Sequence, residues 1–578
     1  MMMIILVPFT ILNPTPEPAV FVFADVSLFC FTISKFPVKT HGPCISTRIW
    51  RAYLLGQFTD CFGPCALPQD LTGGLNPVYS SEKETYNYIL DELSDAVKAI
   101  DITVEPTEDQ AKCDPYFGYD AKKWVKYANS LRMRLAMRLS NLKDKDSEMY
   151  NKAIAQFKDA VSDLSKTISE DVDIMEIVQN NGWDDYSGPY TRSYNQHCLS
   201  GTLANLMTNL GGISIQTQRP DIDSKYIKPA NYLGKRFEKH FVQNTDNPTK
   251  GYWLDGLPEN LDPRALKLYY LPYDSKADNM IDIDTEVKKL KGTFGLISFE
   301  NDKDTIKIDG TYCWNGIPAG TTTSFSPSMS KNELANSSSA RLNNYPILGS
   351  QARNAEEKMV YFGPWETYFL IAEALERQWI TSGDVKGITA EEAYNKAIEL
   401  SFIHFGVSEY YEDYIKSETY NRIGTSVAYT HTTPASAETM QYIDGYTNKN
   451  VTVQYQYPDG SRTLYGGQLN DHLSKIFTQK YIAQLPYLVQ ECWSDYRRVG
   501  LPFFDIPANE KMMTGTDMTE WKPDSWTSGQ KWQYYPQRMR YPTTLDNANP
   551  TEYNHALELL GGANTTMVPL WWSMGAIK

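Results

Sequence analysis

The sequence predicts a mainly α-helical protein in which helices near both ends of the chain enclose a long, loop-rich middle region. Two observations support this fold class. On either side of the middle region, apolar residues recur at intervals of three and four, the spacing of an amphipathic helix. Between residues 170 and 360 this periodicity gives way to sequence rich in Gly, Pro, Asn, Asp and Tyr. Such a composition inside a folded chain is typical of ordered loops that carry function.

The composition is that of a globular protein. Apolar residues make up 42% of the 578 positions and charged residues 22%, values far from those of a disordered or collagen-like chain. The 70 acidic residues outnumber the 55 basic ones, which gives a net charge of −15, and no Lys/Arg-rich run is present. Nucleic-acid binding is therefore not expected, because it requires a surface that neutralises phosphates.

Residues 1–47 form an atypical N-terminal segment. Its two apolar stretches, 1–12 and 19–34, are shorter than the roughly 20 residues of a membrane span. The first stretch lacks the basic start and small-residue cleavage site of a secretory signal. Bulky Phe29 precedes Cys30, where a lipoprotein signal has a small residue. These residues predict no anchor, and they show neither helical nor strand periodicity.

Residues 48–169 are predicted to form an N-terminal set of repeat helices. A capping box, Ser81–Glu84, opens the first clear helix. A second helix is predicted over about Ala121–Leu142 and a third over about Tyr150–Ile168. Basic side chains decorate the second helix, and we expect them to be solvated or paired with acidic helices rather than to bind a ligand. These residues are Lys122, Lys123, Lys126, Arg132, Arg134 and Arg138.

Residues 361–493 are predicted to form a second set of helices. Pro364 occupies the first turn of one helix, a capping box opens the next at Thr389–Glu392, and a third is predicted over Leu473–Trp493. The stretch Glu391–Leu400 reads like the second helix of a tetratricopeptide repeat, where small residues let paired helices approach closely. The expected architecture is a tetratricopeptide-like α-α superhelix, although no regular repeat period is present.

One domain is predicted to cover residues 48–578. Within it, residues 170–360 form a loop-rich insertion between the two sets of helices. Residues 494–578, rich in Pro, Trp and Tyr, are predicted to be mostly irregular.

Several motifs in this domain are informative in combination. The longer ones are Trp124–Ser140, Glu366–Ala374 followed by Trp379, Glu491–Pro502, and Arg538–Pro542 with Asn549–Pro550 and Trp571–Trp572. The shorter ones are Thr59–Gly63, Asp262–Arg264 and Gly316–Gly320. Together they resemble the SusD/RagB family of outer-membrane nutrient-binding lipoproteins. The resemblance extends from about Arg51 to the C-terminus, but Thr543–Leu545 stands where the family has a late acidic residue.

The resemblance implies a tetratricopeptide-like scaffold that lies over a SusC-like, TonB-dependent outer-membrane transporter. It implies that the protein captures an oligosaccharide or polysaccharide, or in some members a peptide, and delivers it without breaking a bond. It also implies a surface-exposed position at the outer membrane through a lipid anchor, although residues 1–47 do not match the family's lipoprotein signal. No cofactor is implied.

A glycan site is expected to combine aromatic rings, which stack on the apolar face of a sugar, with polar side chains that bind hydroxyl groups. The loop-rich insertion supplies this mixture. The candidate ligand-binding residues are Trp183, Tyr186, Tyr190, Arg192, Trp253, Trp314 and Asn315. Packing in the interior remains the alternative for any one of these Trp residues, since it is the commonest use of Trp. Trp124, Trp365, Trp379 and Trp493 lie on predicted helix faces and are expected in the core.

Other functional classes have less support. The sequence contains no G-x-S-x-G, H-E-x-x-H or Gly-rich phosphate loop, and a pair of carboxylates is uninformative among 70 acidic residues. Cys61 and Cys65 form an isolated C-x3-C and the histidines lie singly, so metal binding is not expected. The remaining alternatives are a peptide-binding member of the family and a scaffold that holds protein partners.

Overall fold

A computed structural model describes residues 42–70, 77–178, 198–274 except 240, 242 and 244, 293–297, 305–316, 345–349, 358–506 and 531–577. The N-terminal set contains α1 (Gly42–Phe62), α2 (Glu82–Ala99), α3 (Glu108–Ala111), α4 (Ala121–Arg138) and α5 (Ser147–Val161). Helix α1 packs against α2 and α4, and α4 also packs against α5.

Local sequence signals gave one helix boundary correctly and missed two others. The capping box at Ser81 is confirmed, because Ser81 Oγ accepts the Glu84 N–H and the Glu84 carboxylate accepts the Ser81 N–H. Helix α5 ends at Val161 instead of near residue 168. Helix α1 begins at Gly42, within a segment that showed no periodicity. No side chain from Ile45 to Phe62 is exposed, and a helix buried on all sides has no polar face to reveal it.

The middle region contains short elements rather than loops alone. They are β1 (Met175–Val178), α6 (Gly201–Met207), α7 (Ile215–Gln218), β2 (Ile227–Lys228), β3 (Tyr232–Arg236), β4 (Tyr252–Trp253), β5 (Leu257–Pro258), α8 (Ala265–Leu268), β6 (Tyr269–Tyr270), β7 (Thr293–Ile297), β8 (Thr305–Asp309), β9 (Ile347–Leu348) and β10 (Lys358–Phe362). Four two-stranded pairings form here: β1 with β10, β2 with β5, β6 with β9, and β7 with β8.

The C-terminal part begins with the second helical set. Its elements are α9 (Pro364–Glu376), α10 (Ala390–Phe405), α11 (Tyr411–Tyr414), β11 (Glu438–Asp444), β12 (Asn450–Tyr455), α12 (His472–Gln484), α13 (Val489–Val499), α14 (Thr543–Ala548), α15 (Pro550–Leu560) and α16 (Met574–Ile577). Helix α9 packs against α10, α12 and α4, which joins the two sets. A four-stranded sheet with the order β12-β11-β3-β4 links this part to the middle region.

One expectation for the C-terminal part is wrong. The helix predicted over Leu473–Trp493 is two helices, α12 and α13, because Pro486 lacks the N–H that would continue the first one. Within residues 494–578, the described stretches contain α14, α15 and α16 between irregular segments. Asn549 caps α15 by accepting the Glu552 N–H, and Pro550 occupies its first turn.

A buried ionic network holds the helical frame together. Arg134 on α4 donates to both carboxylate oxygens of Glu366 on α9 at 2.6 Å. Arg138 pairs with Asp60 on α1 at 3.1 Å and with Glu491 on α13. The network continues through three further pairs: Arg498 with Glu373, Arg498 with Asp495, and Lys480 with Asp495. The expectation that basic residues of α4 pair with acidic helices is therefore confirmed for Arg134 and Arg138.

The helix-face tryptophans are mostly in the core, as predicted. Trp124, Trp365 and Trp379 are buried. Trp493 is only partly buried, and the guanidinium of Arg497 lies over its ring, 3.6 Å from the centroid.

Candidate ligand-binding site

A cavity of about 80 Å³ lies where helix α6, the sheet formed by β3 and β4, and the segment around Trp314 meet. Its lining consists of Gly201, Ala204, Asn205, Thr208, Leu233, Phe241, Thr245, Asn247, Thr249, Lys250, Gly251, Tyr252, Trp253, Leu254, Trp314, Asn315, Gly316, Tyr345 and Arg422. These residues come from five separate stretches of the chain, so the cavity exists only in the folded protein.

Two glycines allow the backbone to close around the cavity. Gly234 on β3 has a φ of +114°, and a Cβ there would lie 2.2 Å from the carbonyl oxygen of Trp253. A Cβ on Gly316 would lie 2.1 Å from the carbonyl oxygen of Ser200, directly before α6. A side chain at either position would collide with backbone. The close approach of β3 to β4, and of Gly316 to α6, therefore depends on glycine.

Buried aromatic rings form one wall of the cavity. The Trp253 ring stacks on Phe241, with centroids 6.4 Å apart and an interplanar angle of 18°, and meets Tyr345 edge-on at 5.7 Å. Only 2% of Trp253 and 3% of Trp314 is exposed. The indole N–H of Trp314 is buried without a hydrogen-bond partner within the described ranges. Both tryptophans thus support the wall and present little of their ring faces.

Asn315 holds two lining segments together. Its side-chain oxygen accepts the Leu254 N–H at 2.9 Å, and its amide N–H donates to the Leu254 carbonyl at 2.8 Å. Because this pair uses both ends of the amide, Asn315 fixes the position of its neighbour Trp314 relative to the strand that carries Trp253.

Amide and hydroxyl groups form a second wall. Asn205 on α6 donates to Asn247 at 3.1 Å, and the Thr249 hydroxyl donates to Asn205 at 3.0 Å. Behind this wall, Asn247 donates to Asp505 at 3.2 Å, and the Thr202 hydroxyl donates to the same carboxylate. The hydrogen bonds set the orientation of the amides before any ligand arrives.

Two cations contribute to the lining. Arg422 is buried and donates to the carbonyl oxygens of Ala230 and Tyr232 at 3.3 and 3.0 Å. Burial lowers the pKa of its guanidinium. Lys250 donates to the carbonyl oxygen of Thr245 at 2.7 Å. Burial lowers the pKa of Lys250, and Asp246 opposes that shift.

Half-exposed tyrosines lie on the sheet beside the cavity. Tyr252 on β4 lines the cavity and meets Tyr442 on β11 edge-on, with centroids 5.5 Å apart. The guanidinium of Arg236 lies over both rings, 5.4 Å from the Tyr252 centroid and 5.5 Å from that of Tyr442. Both rings are more exposed than those of the two buried tryptophans.

The structure brings three of the seven predicted site residues together and does not describe the other four. Trp253, Trp314 and Asn315 line the same cavity. Trp183, Tyr186, Tyr190 and Arg192 lie outside the described residues.

Sequence reasoning missed several lining residues: Asn205, Phe241, Asn247, Tyr345 and Arg422. The first four belong to the same aromatic-rich and amide-rich insertion, whose composition was the available signal. Arg422 has no such signal, because it lies within the second helical set and reaches the cavity only through the tertiary fold.

Metal sites and membrane-spanning helices are both absent from the part of the chain that the structure describes. No group of three or more His, Cys, Asp or Glu side chains there is arranged to hold a metal ion. None of the helices within the described ranges combines the length and apolar character required to cross a bilayer. Cys61 and Cys65 are both buried.

Comparison with known families identifies the class of protein. Residues 328–573 match the model of a SusD-like family described as Susd and RagB outer membrane lipoprotein. Residues 44–212 match a second SusD-like family, described as starch-binding and associating with the outer membrane. The chain belongs to the SusD-like family, which places it at the outer membrane. A search of curated proteins gave no match.

Solved structures confirm the predicted tetratricopeptide-like helical fold. A SusD homolog from Parabacteroides distasonis is 23% identical, with a TM-score of 0.65, over 96% of this chain and 87% of that one. A SusD homolog from Bacteroides vulgatus is 19% identical, with a TM-score of 0.56, over 97% and 85%. A chitin-binding SusD homolog from Flavobacterium johnsoniae is 19% identical, with a TM-score of 0.55, over 95% and 85%.

Proposed function

We propose that the protein binds a glycan at the cell surface and delivers it, chemically unchanged, to a SusC-like TonB-dependent transporter in the outer membrane. The observation that carries this proposal is the cavity beside Tyr252, which combines an aromatic wall with a wall of oriented amides and hydroxyls. This is the pairing of surfaces that sugar rings and their hydroxyl groups require. The description of the second matched family as starch-binding, and the chitin-binding relative, also support a glycan as the ligand.

The size of the cavity suggests how a glycan would bind. Its volume of about 80 Å³ is well below the roughly 300–1,000 Å³ of pockets that enclose a whole small molecule. It therefore fits a substituent of one sugar, while the sugar ring lies outside against Tyr252 and Tyr442. In this arrangement Trp253 and Trp314 shape the cavity, and the half-exposed tyrosines supply the stacking surface.

A calorimetric screen of oligosaccharides tests the proposed function. We expect at least one class of glycan to bind, and Tyr252→Ala to reduce its affinity by about 1–3 kcal/mol, the scale measured for bases stacked on aromatic rings. Tyr410→Ala is a matched control, because Tyr410 is also half-exposed but does not line the cavity. Equal affinities for the wild type and Tyr252→Ala would remove Tyr252 from the site.

The same screen separates glycan binding from its alternatives. Binding of unstructured peptides with no response to any sugar would indicate a peptide-binding member of the family. Release of new reducing ends from a polysaccharide would indicate an enzyme. Recovery of a TonB-dependent transporter with the tagged protein from its own outer membrane tests the proposed partnership, and recovery of other proteins alone would favour a scaffold.

Trp183, Tyr186, Tyr190 and Arg192 remain proposed ligand contacts. Trp183→Ala should reduce the affinity for the glycan found in the screen by about 1–3 kcal/mol if the ring stacks on a sugar. An unchanged affinity would remove Trp183 from the site without affecting the assignment of Tyr252.

A further inference from the structure

The cavity is positively charged in a protein that is strongly acidic overall. The net charge of the chain is −15, yet the lining contains Lys250 and Arg422 and no carboxylate. A local charge opposite in sign to that of the whole molecule concentrates oppositely charged groups at that place.

Arg422 differs from the buried arginines of the ionic network in its partners. Arg134, Arg138 and Arg498 each pair with buried carboxylates, whereas the hydrogen-bond acceptors of Arg422 in the structure are the carbonyls of Ala230 and Tyr232 and the Met440 sulfur. No carboxylate within the described ranges lies close enough to Arg422 to form an ion pair. A buried charge without a counter-ion is costly, and a bound anion would offset part of that cost.

Two other buried arginines, Arg497 and Arg538, also lack an ion pair among the described residues. Arg497 donates to the carbonyls of Asp60 and Gln537, and Arg538 to those of Phe62 and Thr565. Neither residue lines the cavity. Their guanidinium groups donate to these carbonyls and to the neutral side chains of Ser494 and Asn564, while Arg422 combines neutral acceptors with a position in the cavity lining.

The acidic side chains near the cavity accept hydrogen bonds from other groups. Glu438 accepts the hydroxyl of Tyr457 at 2.9 Å, and Asp505 accepts hydrogen bonds from Thr202 and Asn247. Asp246 accepts the Ile506 N–H at 2.6 Å. None of the three acids lines the cavity, so an anion that enters would meet the two cations without a carboxylate on the cavity surface.

Building on the proposed function, we propose that the cavity receives an anionic substituent of the bound glycan, a carboxylate or a sulfate ester, beside Arg422. Such a group is small enough for the cavity, and its charge would complete the ion pair that Arg422 lacks. The neighbouring amides Asn205 and Asn247 and the hydroxyl of Thr249 would bind oxygen atoms of the same sugar.

Matched ligands test this proposal in the wild-type protein. Oligogalacturonides carry one carboxylate per sugar, and their methyl esters keep the same backbone without the charge. A sulfated galactan oligosaccharide and its desulfated form make the same comparison for sulfate. We expect one charged ligand to bind at least tenfold more tightly than its neutral counterpart by calorimetry, and this ratio to fall as salt is added.

Variants of Arg422 assign the preference to this residue. Arg422→Met should bring the affinity ratio of charged to neutral ligand close to one, while Arg422→Lys should retain part of it. Arg462→Met, a change at an exposed arginine away from the cavity, should leave the ratio unchanged. Thermal melting shows whether each variant folds. If Arg422→Met does not fold, Arg422→Lys and the paired charged and neutral ligands on the wild type still test the anionic site.

The outcomes separate this inference from the proposed function. Neutral glycans that bind as tightly as charged ones, or an acetamido sugar that alone binds, would overturn the anionic site but leave glycan binding in place. A charge preference that survives in Arg422→Met would place the anion elsewhere and also overturn the inference. If no glycan of any kind binds, both proposals are wrong.

Discussion

The ionic network of the helical frame and the cavity region differ in the partners that they give to buried arginines. In the frame, Arg134 on α4 meets Glu366 on α9, and Arg138 meets Asp60 on α1 and Glu491 on α13. At the cavity, Arg422 meets neutral acceptors. Arg134 and Arg138 of the frame therefore have buried carboxylate partners, whereas Arg422 has none among the described residues.

The difference also shows in the carboxyl groups. Although burial opposes it, Lys480, Arg498 and Arg138 hold the pKa of Asp495 in the frame well below its usual range. Near the cavity, burial and the neighbouring Asp505 raise the pKa of Asp246 to about 7, against hydrogen bonding to the Ile506 N–H and the charge of Lys250. Asp495 therefore stays charged within its ion pairs, while the charge of Asp246 can still respond to a ligand or to pH.

The largest effect is expected from breaking the ionic network. Arg138→Met leaves Asp60 and Glu491 buried without their main cation, which typically costs about 3–5 kcal/mol. Urea unfolding of the variant should show this loss. Lys122→Met, at an exposed position on the same helix, should change the free energy of unfolding by less than about 0.5 kcal/mol. A similarly small change for Arg138→Met would mean that the network does not stabilise the frame.

A smaller loss of stability is expected when the close contact between β3 and β4 behind the cavity is disturbed. Gly234→Ala places a Cβ 2.2 Å from the Trp253 carbonyl, whereas Gly387, with a similarly positive φ of +91°, has no atom within 4 Å of an added Cβ. Both variants suffer backbone strain, but only Gly234→Ala adds a collision, for which we expect a further cost of about 1–3 kcal/mol. Equal unfolding free energies for the two variants would show that β3 can move away from β4 at little cost.

The sequence predicts the frame better than the cavity, because local sequence patterns specify the helices of the frame. Capping boxes such as Ser81–Glu84 and Thr389–Glu392 involve residues three apart, and both occur as predicted. The basic side chains of α4 indicated pairing with acidic helices, but Arg134 and its partner Glu366 are 232 residues apart. No local pattern specifies that pair. Helix α1 was missed for a related reason, since burial on every side removes the amphipathic signal.

The cavity depends on long-range contacts almost entirely. Aromatic and amide composition brought Trp253, Trp314 and Asn315 together as candidates, and all three line the cavity, but their role in binding remains a prediction. Their burial could not be read from composition, because an exposed and a buried Trp look alike in sequence. The strand signal around Tyr442 was available in the alternating sequence of β11 and β12, but its position beside Tyr252 arises only from the parallel pairing of β11 with β3.

The smallest expected effect, that of Asp246→Asn on stability, is the most direct test of how carboxyl groups differ between the two regions. Because the pKa of Asp246 is about 7 in the folded protein and near 3.9 in an unfolded chain, the folded state holds a proton that the unfolded state releases between these values. Stability therefore decreases as pH rises from about 4 to about 7 and remains reduced above that range. Asp246→Asn removes this loss, so the variant should exceed the wild type in stability by about 1–2 kcal/mol at pH 8, allowing for partial screening of a half-buried group.

At pH 5 the same substitution should have little effect, because Asp246 is already protonated in the folded wild type. Asp495→Asn provides the contrast from the frame: its carboxylate is ionised and paired at both pH values, so the substitution should destabilise the protein at pH 5 and at pH 8 alike. Urea unfolding of both variants at the two pH values makes the comparison. If Asp246→Asn has the same effect at both, then Asp246 does not change its protonation state between pH 5 and pH 8, and it does not differ from Asp495 in its response to pH.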